Sequence, residues 1–568
     1  MPHVGIAPMP DPHAQRQSTL SRAVRATSLM TLGSRVGGLV RDVVVGRIFG
    51  ATMIGSAFSA AFAIPNMFRR LFGEGALSAA FIPAYTEVAQ TSKEDADKLA
   101  SLTITALGLV TTALTIVIEL ALLGVLLFAH CTLKLELSLK LIMVMLPFMP
   151  LICCVAIQAA ILQVKGRYGP AASGPIILNT FIVGTGVYFL LTRQLGGEFT
   201  AYILGIATVL SGLTQALWFL HLLRPYVNWT RSWQSITPRA IVMFKKFIPV
   251  AIGLGTLQLN TFLDTLLAMW PIWIGTTLFG RVYPLDESSN VILSLTARLY
   301  QFPLGVFGVS IASAIFPLLS RHAKEPDHFL DTLRRGLRLS LYIGLPATLG
   351  LLLVRHEALS VLYGHGTTGW DDIAIRRAAN VLAGFSVAIW AYSLNQVLTR
   401  AFYAQGDTKT PMKVAIAMIL VNIVLNCTLI WIPGVQESGL AWATAISAIL
   451  QTIVLSILCI RMVRATGTHH PIIDAHARTG ILRIIIATAV MTAAVWLVLR
   501  IAPQTTPLAA SKLPNALAPL ASEWSWQLAR LLASSGLGGI IYLVLSKIMH
   551  IAELQWLLHK PPNQSRRA

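Results

Sequence analysis

Charged residues are scarce in this chain. Only 12% of its 568 residues are Asp, Glu, Lys or Arg, whereas about one-quarter of the residues in soluble domains are charged. Hydrophobic residues make up 55%, and the mean hydropathy is +0.68. This balance excludes an ordinary soluble multidomain protein and indicates one polytopic membrane unit.

Acidic residues are the rarer of the two signs, with 24 against 44 basic residues and a formal net charge of +20. In a soluble chain this excess would suggest nucleic-acid binding. Here most basic residues lie in alternate connections between apolar runs, and one connection holds Arg224, Arg231, Arg239, Lys245 and Lys246. The positive-inside rule assigns these connections and both termini to the cytoplasm. The charge therefore reflects membrane topology, and no nucleic-acid partner is expected.

Catalytic and metal-binding motifs are absent from the sequence. It contains no GxSxG, Walker or HExxH pattern, and its five cysteines have no CxxC or Cys/His spacing. The cysteines lie in or beside apolar segments and are expected to be reduced thiols. We therefore expect neither an enzyme nor a bound cofactor.

Apolar runs of roughly 20 residues, the length that crosses a bilayer, occur repeatedly. The sequence predicts an all-α polytopic protein with about fourteen transmembrane helices. Their approximate limits are 27–50, 54–85, 99–129, 136–163, 174–192, 199–223, 240–275, 288–319, 334–354, 377–404, 412–432, 438–460, 480–501 and 527–550.

The chain repeats itself after about 235 residues: residues 73–89 resemble 307–323, and 162–175 resemble 398–411. An offset of six spans keeps the same orientation, so the repeats are parallel, as in transporters built from two lobes. The predicted domains are a disordered cytoplasmic tail (1–26), an N-lobe (27–225), a cytoplasmic linker (226–237), a C-lobe (238–462), a second linker (463–479), two extra helices (480–550) and a basic cytoplasmic tail (551–568).

Ionisable residues inside predicted spans are costly and usually line a cavity or pair with one another. In the first span, Ser34 and Arg41 share one helix face, and Arg35 and Asp42 share the next. The second span has a polar stripe after Pro65, and the eighth has an arginine just before Pro303. The candidate substrate-binding residues are Ser34, Arg35, Arg41, Asn66, Arg69, Arg70, Glu74 and Arg298.

A structural interpretation competes at some of these positions. Arg70 and Glu74 are one turn apart and are better explained as an ion pair, and Arg47 near a helix end is better explained by snorkelling. The remaining arginines outnumber the nearby acids. Guanidinium groups suit phosphate or carboxylate, so the expected cargo is an anion.

Asp264 is a lone acid in the seventh span, between Asn260 and Thr265. Its oxygens suit Na⁺ or H⁺ coupling. An acid that only hydrogen-bonds to its polar neighbours is an equal alternative.

Four segments carry a resemblance to a known family: SRVGGLVRD (34–42), IPNMFRRLFGEGALSAAFIP (64–83), RLYQFPLGVFGVSIASAIFP (298–317) and RAFYAQGDTKTP (400–411). They resemble the MurJ (MviN) family of lipid II flippases, within the multidrug/oligosaccharidyl-lipid/polysaccharide exporter superfamily. The resemblance implies fourteen helices in two lobes around a cationic cavity, and a groove at the last two helices for an undecaprenyl tail. It also implies a bacterial inner-membrane location, lipid II and membrane lipids as partners, and contact with the cell-wall synthesis machinery.

Carried over by motif, the family's cavity arginines fall on Arg35, Arg41, Arg69 and Arg298, with Glu74 as the acid of the second helix. The family's Na⁺ position falls on Asp264, with Asn395 and Thr399 as partners, and the membrane potential is a second driving force. Ser56 and Ala297 replace acids found in some members, so a mechanism that requires either carboxylate is in doubt here.

Three other functions remain open from the sequence. One is a flippase for another polyprenyl-linked glycan of the O-antigen or exopolysaccharide type. The others are a cation-coupled drug exporter, which the basic residues disfavour, and a non-transporting scaffold for cell-wall synthesis, which would have neutral cavity positions.

Overall fold

The computed structural model describes residues 30, 33–73, 76–364, 370–465, 471, 474–502 and 523–558. Nearly all of them are helical, as the composition predicts. The helices are α1 (33–49), α2 (Met53–Phe68), α3 (Ala76–Thr91), α4 (Lys93–Phe128), α5 (Leu133–Met145), α6 (Phe148–Val164), α7 (Tyr168–Thr192), α8 (Glu198–Leu223), α9 (Thr237–Trp273), α10 (Ser289–Pro303), α11 (Val309–Arg321), α12 (Pro326–Tyr363), α13 (Asp372–Val387), α14 (Ile389–Ala404), α15 (Lys409–Leu429), α16 (Ser438–Ala465), α17 (Ala475–Ile501), α18 (Glu523–Ile548) and α19 (Ala552–Leu558).

Eleven helical segments among the described residues are long and apolar enough to cross a membrane. They match the third to sixth and the eighth to fourteenth predicted spans. The first, second and seventh predicted spans are helical where they are described but are not among the eleven. A polytopic all-α membrane fold is confirmed, and the count of fourteen stays a prediction.

An antiparallel hairpin of β1 (Thr277–Leu278) and β2 (Arg281–Val282) follows α9. This hairpin is not among the elements predicted from the sequence. Its turn places Phe279 and Gly280 at positive φ, which suits a tight two-residue connection.

The repeat is visible in the order of elements. A π-helical turn separates α2 from α3 at Arg69–Gly73, and a second separates α10 from α11 at Leu304–Gly308. The fourth and tenth predicted spans are both interrupted, between α5 and α6 and between α13 and α14. Prolines and glycines near the π turns weaken the regular i→i−4 ladder, which explains why the helices are interrupted there. The same interruptions therefore occur in both halves, about 235 residues apart.

Contacts divide the chain into two units, one of Met1–Val44 with Ala60–Gln258 and one of Val45–Ser59 with Leu259–Ala568. The segment 45–59 belongs to the second unit through Ser56, whose hydroxyl accepts from the Val291 amide at 3.1 Å and whose carbonyl accepts from Asn290 at 2.9 Å. The contact units therefore do not coincide with the domain limits expected from the repeat. The predicted tail 1–26 lies outside the described residues, as do residues 466–470 and 472–473 of the 463–479 linker.

In the second unit, α17 and α18 pack on α12 through a core that includes Tyr342, Ile484 and Tyr542. The tail expected from residue 551 begins with the short helix α19. Its Glu553 is fully buried and forms an ion pair with Arg338 of α12. A buried carboxylate requires such a counter-charge, so α19 is part of the folded unit rather than a solvated tail.

Candidate functional site

The described part of the first unit gathers polar groups of α1 around Asn179 of α7. Asn179 donates from Nδ2 to the carbonyl of Ser34 at 3.1 Å, and its Oδ1 accepts from Arg41 at 3.2 Å. A Cβ at Gly37 would lie 3.2 Å from the Asn179 amide nitrogen. Glycine at this position therefore permits α1 and α7 to approach closely enough for one amide to bind both groups.

Arg41 is paired within its own helix. Its Nε and Nη2 donate to Asp42 Oδ1 at 3.0 and 2.8 Å, and both side chains are largely buried. Its guanidinium also lies 4.9 Å from the centre of the Phe62 ring. The neighbouring carboxylate therefore offsets the charge of Arg41, and a role of Arg41 in substrate binding stays a prediction.

The π turn after α2 carries Arg69. Asn66 donates from Nδ2 to the carbonyl of Phe62 at 2.9 Å, and its Oδ1 accepts from Arg69 Nε at 3.1 Å. Phe62 thus contacts both Arg41 and Asn66. Three of the predicted residues, Arg41, Asn66 and Arg69, are brought together on α1 and α2 by a phenylalanine that the sequence analysis did not single out.

The other candidate residues of the first unit are Arg35, Arg70 and Glu74. Arg35 is half-buried and makes no hydrogen bond or ion pair within the described part of the chain. Arg70 is half-buried at the start of the π turn and has interactions of its own. Glu74 lies outside the described residues, so its pairing with Arg70 stays a prediction.

In the second unit, Arg298 is half-buried on α10, and its Nη1 donates to Gln301 at 3.4 Å. It lies two turns before the π turn at Leu304–Gly308. Tyr300 on the same helix stacks on Phe385 with 4.6 Å between ring centres. That aromatic contact restrains the helix segment that carries Arg298.

Asp264 of α9 forms a polar chain across helices of the second unit. Asn426 donates from Nδ2 to Asp264 at 2.6 Å and to Asn422 Oδ1 at 2.9 Å, and Asn422 donates to the Thr444 hydroxyl at 3.4 Å. The amide oxygens of Asn426 and Asn260 are buried and have no hydrogen-bond partner within the described part of the chain. Unsatisfied buried oxygens beside a carboxylate are a donor set that suits a hard cation.

The partners of Asp264 predicted from the sequence, Asn395 and Thr399, lie on α14, and their binding of a cation stays a prediction. Asn395 donates to the Ala448 carbonyl at 3.1 Å and accepts from the Thr452 hydroxyl at 3.0 Å. Thr399 follows one turn later on α14 and is half-buried. Asn422, Asn426 and Thr444 were not predicted from the sequence. The i, i+4 spacing of Asn422 and Asn426 on α15 was an available signal, but asparagine in an apolar helix carries no charge to mark it.

Arg47 is a helix-capping residue, not a snorkelling one. Its guanidinium donates to the carbonyls of Leu362 and Val361 at 2.9 and 3.1 Å. These carbonyls are at the C-terminal end of α12, where helical partners are missing and a positive charge is favourable. The snorkelling interpretation of Arg47 is therefore wrong.

Comparisons with known proteins agree on one family. The profile of the family described as "Lipid II flippase MurJ" matches residues 45–511. A probable lipid II flippase MurJ of Vibrio cholerae is 33% identical over 485 residues, covering 82% of this chain and 87% of that protein. A probable lipid II flippase MurJ of Haemophilus influenzae is 30% identical, covering 82% and 90%.

The fold is similar to solved transporter structures. A lipid II flippase MurJ in an inward closed conformation superimposes with a TM-score of 0.70 at 22% identity, covering 94% of this chain and 99% of that one. An inward-facing multidrug transporter of the MATE family superimposes with a TM-score of 0.61 at 12% identity, covering 78% of this chain. The helices beyond the MATE-like core therefore have counterparts in the former structure.

Proposed function

This chain belongs to the MurJ family of lipid II flippases, and from that premise we propose that it moves lipid II across the bacterial inner membrane by alternating access. The cargo carries a pyrophosphate, a glycopeptide head and an apolar tail. Moving the head through hydrocarbon unaided is prohibitive, because each polar group would lose its hydration without a replacement. The protein must therefore provide a polar path for the head while the tail stays in lipid.

The basic residues of α1 and the first π turn are the observation that supports this proposal. Arg69 is oriented by Asn66, and Arg35 is half-buried without a described partner. Guanidinium groups form charge-assisted, planar hydrogen bonds that match pyrophosphate oxygens. In this proposal Arg35 and Arg69 of the first unit bind the pyrophosphate, and Arg41 with Asp42 positions α1 rather than adding charge. Arg298 of the second unit is proposed as a further anion-binding residue.

The experiment for this function combines growth and transport. Arg35→Ala, Arg69→Ala and Arg298→Ala are expected to abolish complementation of a flippase-depleted bacterium and to lower lipid II translocation in vesicles by roughly ten- to a hundredfold. The control is Arg461→Ala, since Arg461 is exposed at the end of α16. Normal translocation by all three arginine variants would refute the role of these arginines in anion binding.

The polyprenyl tail is proposed to lie against α17 and α18. Ile540, Leu543 and Val544 of α18 are 61%, 52% and 50% exposed, which gives an apolar surface for a chain of hydrocarbon. A charged residue at Ile540 is expected to impair transport while the protein still inserts, because the tail would have to pass a desolvated charge. Wild-type transport by Ile540→Arg would show that these helices have no role in holding the tail.

Cation coupling is proposed at the Asp264 chain. Asp264, Asn422, Asn426 and Thr444 are the residues that would hold Na⁺, and a bound cation would supply a counter-charge for the carboxylate. Na⁺ is then expected to raise the melting temperature of the wild-type protein but not of Asp264→Asn. Glu119→Gln is the matched control, because Glu119 is another acid within an apolar helix. An equal rise of the melting temperature with Na⁺ in Asp264→Asn would exclude this site. A melting temperature that depends on pH through Asp264 in the absence of Na⁺ would assign the coupling to protons.

The membrane potential is proposed as a further driving force. With a negative cytoplasm, outward movement of an anion is favoured by about 2.3 kcal/mol per charge per 100 mV. This direction requires both termini in the cytoplasm. Cysteines introduced near Arg231 and Arg321 should be shielded from impermeant thiol reagents in intact cells, while one near Asp286 should react; labelling of all three would refute the orientation.

A further inference from the structure

The β1–β2 hairpin presents an apolar tip to its surroundings. Phe279 is 97% exposed and Val282 is 79% exposed. Phe279 also adopts φ 49°, a left-handed conformation that is unusual for a bulky side chain. In water, an exposed phenylalanine in a strained backbone conformation would have no compensating interaction, so the tip requires an explanation.

The base of the hairpin is fixed against α9. The Tyr283 amide donates to the Thr276 carbonyl at 2.9 Å, which closes the hairpin. The Tyr283 hydroxyl donates to the Leu267 carbonyl at 3.0 Å. Leu267 precedes the end of α9 at Trp273 by six residues, which is roughly 9 Å along a helix. The hairpin therefore lies beside the last turns of α9 rather than beyond them.

Aromatic side chains mark the depth of this region. The Trp270 and Tyr283 rings stack with 5.5 Å between their centres, and Tyr283 meets Trp431 edge-on at 6.0 Å. Clusters of Trp and Tyr at the ends of spans are typical of the membrane–water interface. The base of the hairpin is thus at the level of the interface, and its tip is within reach of lipid.

The segment that follows β2 is fixed as well. Arg377 donates to both carboxylate oxygens of Asp286, at 2.7 and 3.0 Å, and also binds Glu437 at 2.7 and 3.0 Å. The hairpin is thereby attached to α13 and to the α15–α16 connection. Because the base of the hairpin and the segment after it are both held by hydrogen bonds, the fold fixes the direction in which the tip extends.

We propose that the hairpin is an interfacial anchor that inserts Phe279 and Val282 into the phospholipid leaflet on the side of Asp286. The exposed Arg281, paired with Leu278 across the hairpin, lies next to the apolar tip and extends its charge to the headgroup phosphates. Arginine with aromatic and branched apolar residues is the combination found in segments that lie in this interface. The anchor fixes the end of α9 at the surface; the assignment of the leaflet rests on the proposed orientation.

The test places the photoreactive residue p-benzoylphenylalanine at position 279 in the full-length protein. Purified protein is reconstituted in vesicles of phosphatidylethanolamine and phosphatidylglycerol, irradiated and analysed by mass spectrometry. Position 372 is the control, because Asp372 is exposed beside a second carboxylate, Asp371, at the start of α13. A phospholipid adduct at 279 that is several-fold more abundant than at 372 is the expected result.

Two outcomes would overturn the proposal. One is an adduct at 279 with another segment of the protein, which would mean that protein covers the tip. The other is a lipid yield at 279 no higher than at 372, which would mean that the tip is in water. A second probe at position 282 gives the same readout without changing Phe279.

Discussion

The two π turns have the same backbone form but different chemistry. Arg69–Gly73 begins with two arginines, whereas Leu304–Gly308 contains no charged residue. In the second unit the arginine lies earlier, at Arg298 on α10. The repeat has therefore kept the interruption of the helix in both halves while the position of the positive charge has changed. The interruption serves packing and helix geometry, whereas the charge is proposed to bind the cargo.

The packing role is clearest at Gly308. A Cβ at this position would lie 3.0 Å from Leu304 and 3.1 Å from the Ser393 hydroxyl of α14. The second π turn thus lies close against its neighbour. The first turn packs on α6 and presents Arg69 to Asn66.

The largest expected effect comes from removing the charge on the first turn. Arg69→Ala should lower lipid II translocation by roughly ten- to a hundredfold, since charged hydrogen bonds contribute about 1.5–3 kcal/mol. Leu304→Ala, at the matching position of the second turn, should leave most of the translocation rate intact. Equal losses in vesicle assays would show that the two turns do not differ in function.

Arg41, which pairs with Asp42, and Arg35, which has no partner among the described residues, should separate stability from transport. Arg41→Ala removes the ion pair that Arg41 forms with the largely buried Asp42 and should lower the free energy of unfolding by about 3 kcal/mol. The double variant Arg41→Ala with Asp42→Asn should recover much of the lost membrane accumulation, measured by immunoblot. Arg35→Ala should accumulate normally. If the double variant accumulates no better than the single one, the pair is not what holds α1.

Gly308→Ala tests the packing of the second turn. The added methyl group must displace Leu304 or Ser393, so we expect a loss of about 1–3 kcal/mol in thermal unfolding experiments. Gly350→Ala on α12 is the control, because a Cβ there meets nothing within 4 Å. Similar melting temperatures for the two variants would contradict the close approach.

The smallest effect concerns the Arg377 ion cluster of the second unit. Burial raises the pKa of Asp286, but hydrogen bonds and charge from Arg377 outweigh it and lower the pKa to about 2. The Asp286 side chain is 57% exposed, so solvent screening limits the contribution to about 1 kcal/mol. Because the folded pKa lies below the ordinary value of 3.8, this stability is present above about pH 4 and is lost as the pH falls towards 2.

Asp286→Asn should therefore lower the melting temperature at pH 7 and at pH 5 by the same small amount. At pH 3 the difference from the wild type should be smaller, because the Asp286 carboxyl group of the unfolded chain, with its ordinary pKa of 3.8, is then largely protonated. A difference that is unchanged at pH 3 would show that the charge on Asp286 contributes nothing.

The sequence by itself determined the class of protein, the repeat and the types of side chain at the site. Apolar runs, the basic connections and the 73–89 and 307–323 segments are local or periodic signals, and each can be recognised without knowing any distant contact. The arginines were recognisable because charge is costly within a membrane span.

Only the tertiary structure decided which partners those side chains have. Asn179 reaches Arg41 across 138 residues of sequence, and Asn426 reaches Asp264 across 162. The charge of Arg41 was visible in the sequence, but its neutralisation depends on rotamers that the packing of α1 against α2 and α7 selects. Residues 45–59 belong to the second unit for the same kind of reason, since Ser56 and Arg47 bind backbone groups that become neighbours only after folding. Every residue type has the same backbone carbonyl and amide groups, so no pattern of residue types in the sequence could have predicted these contacts.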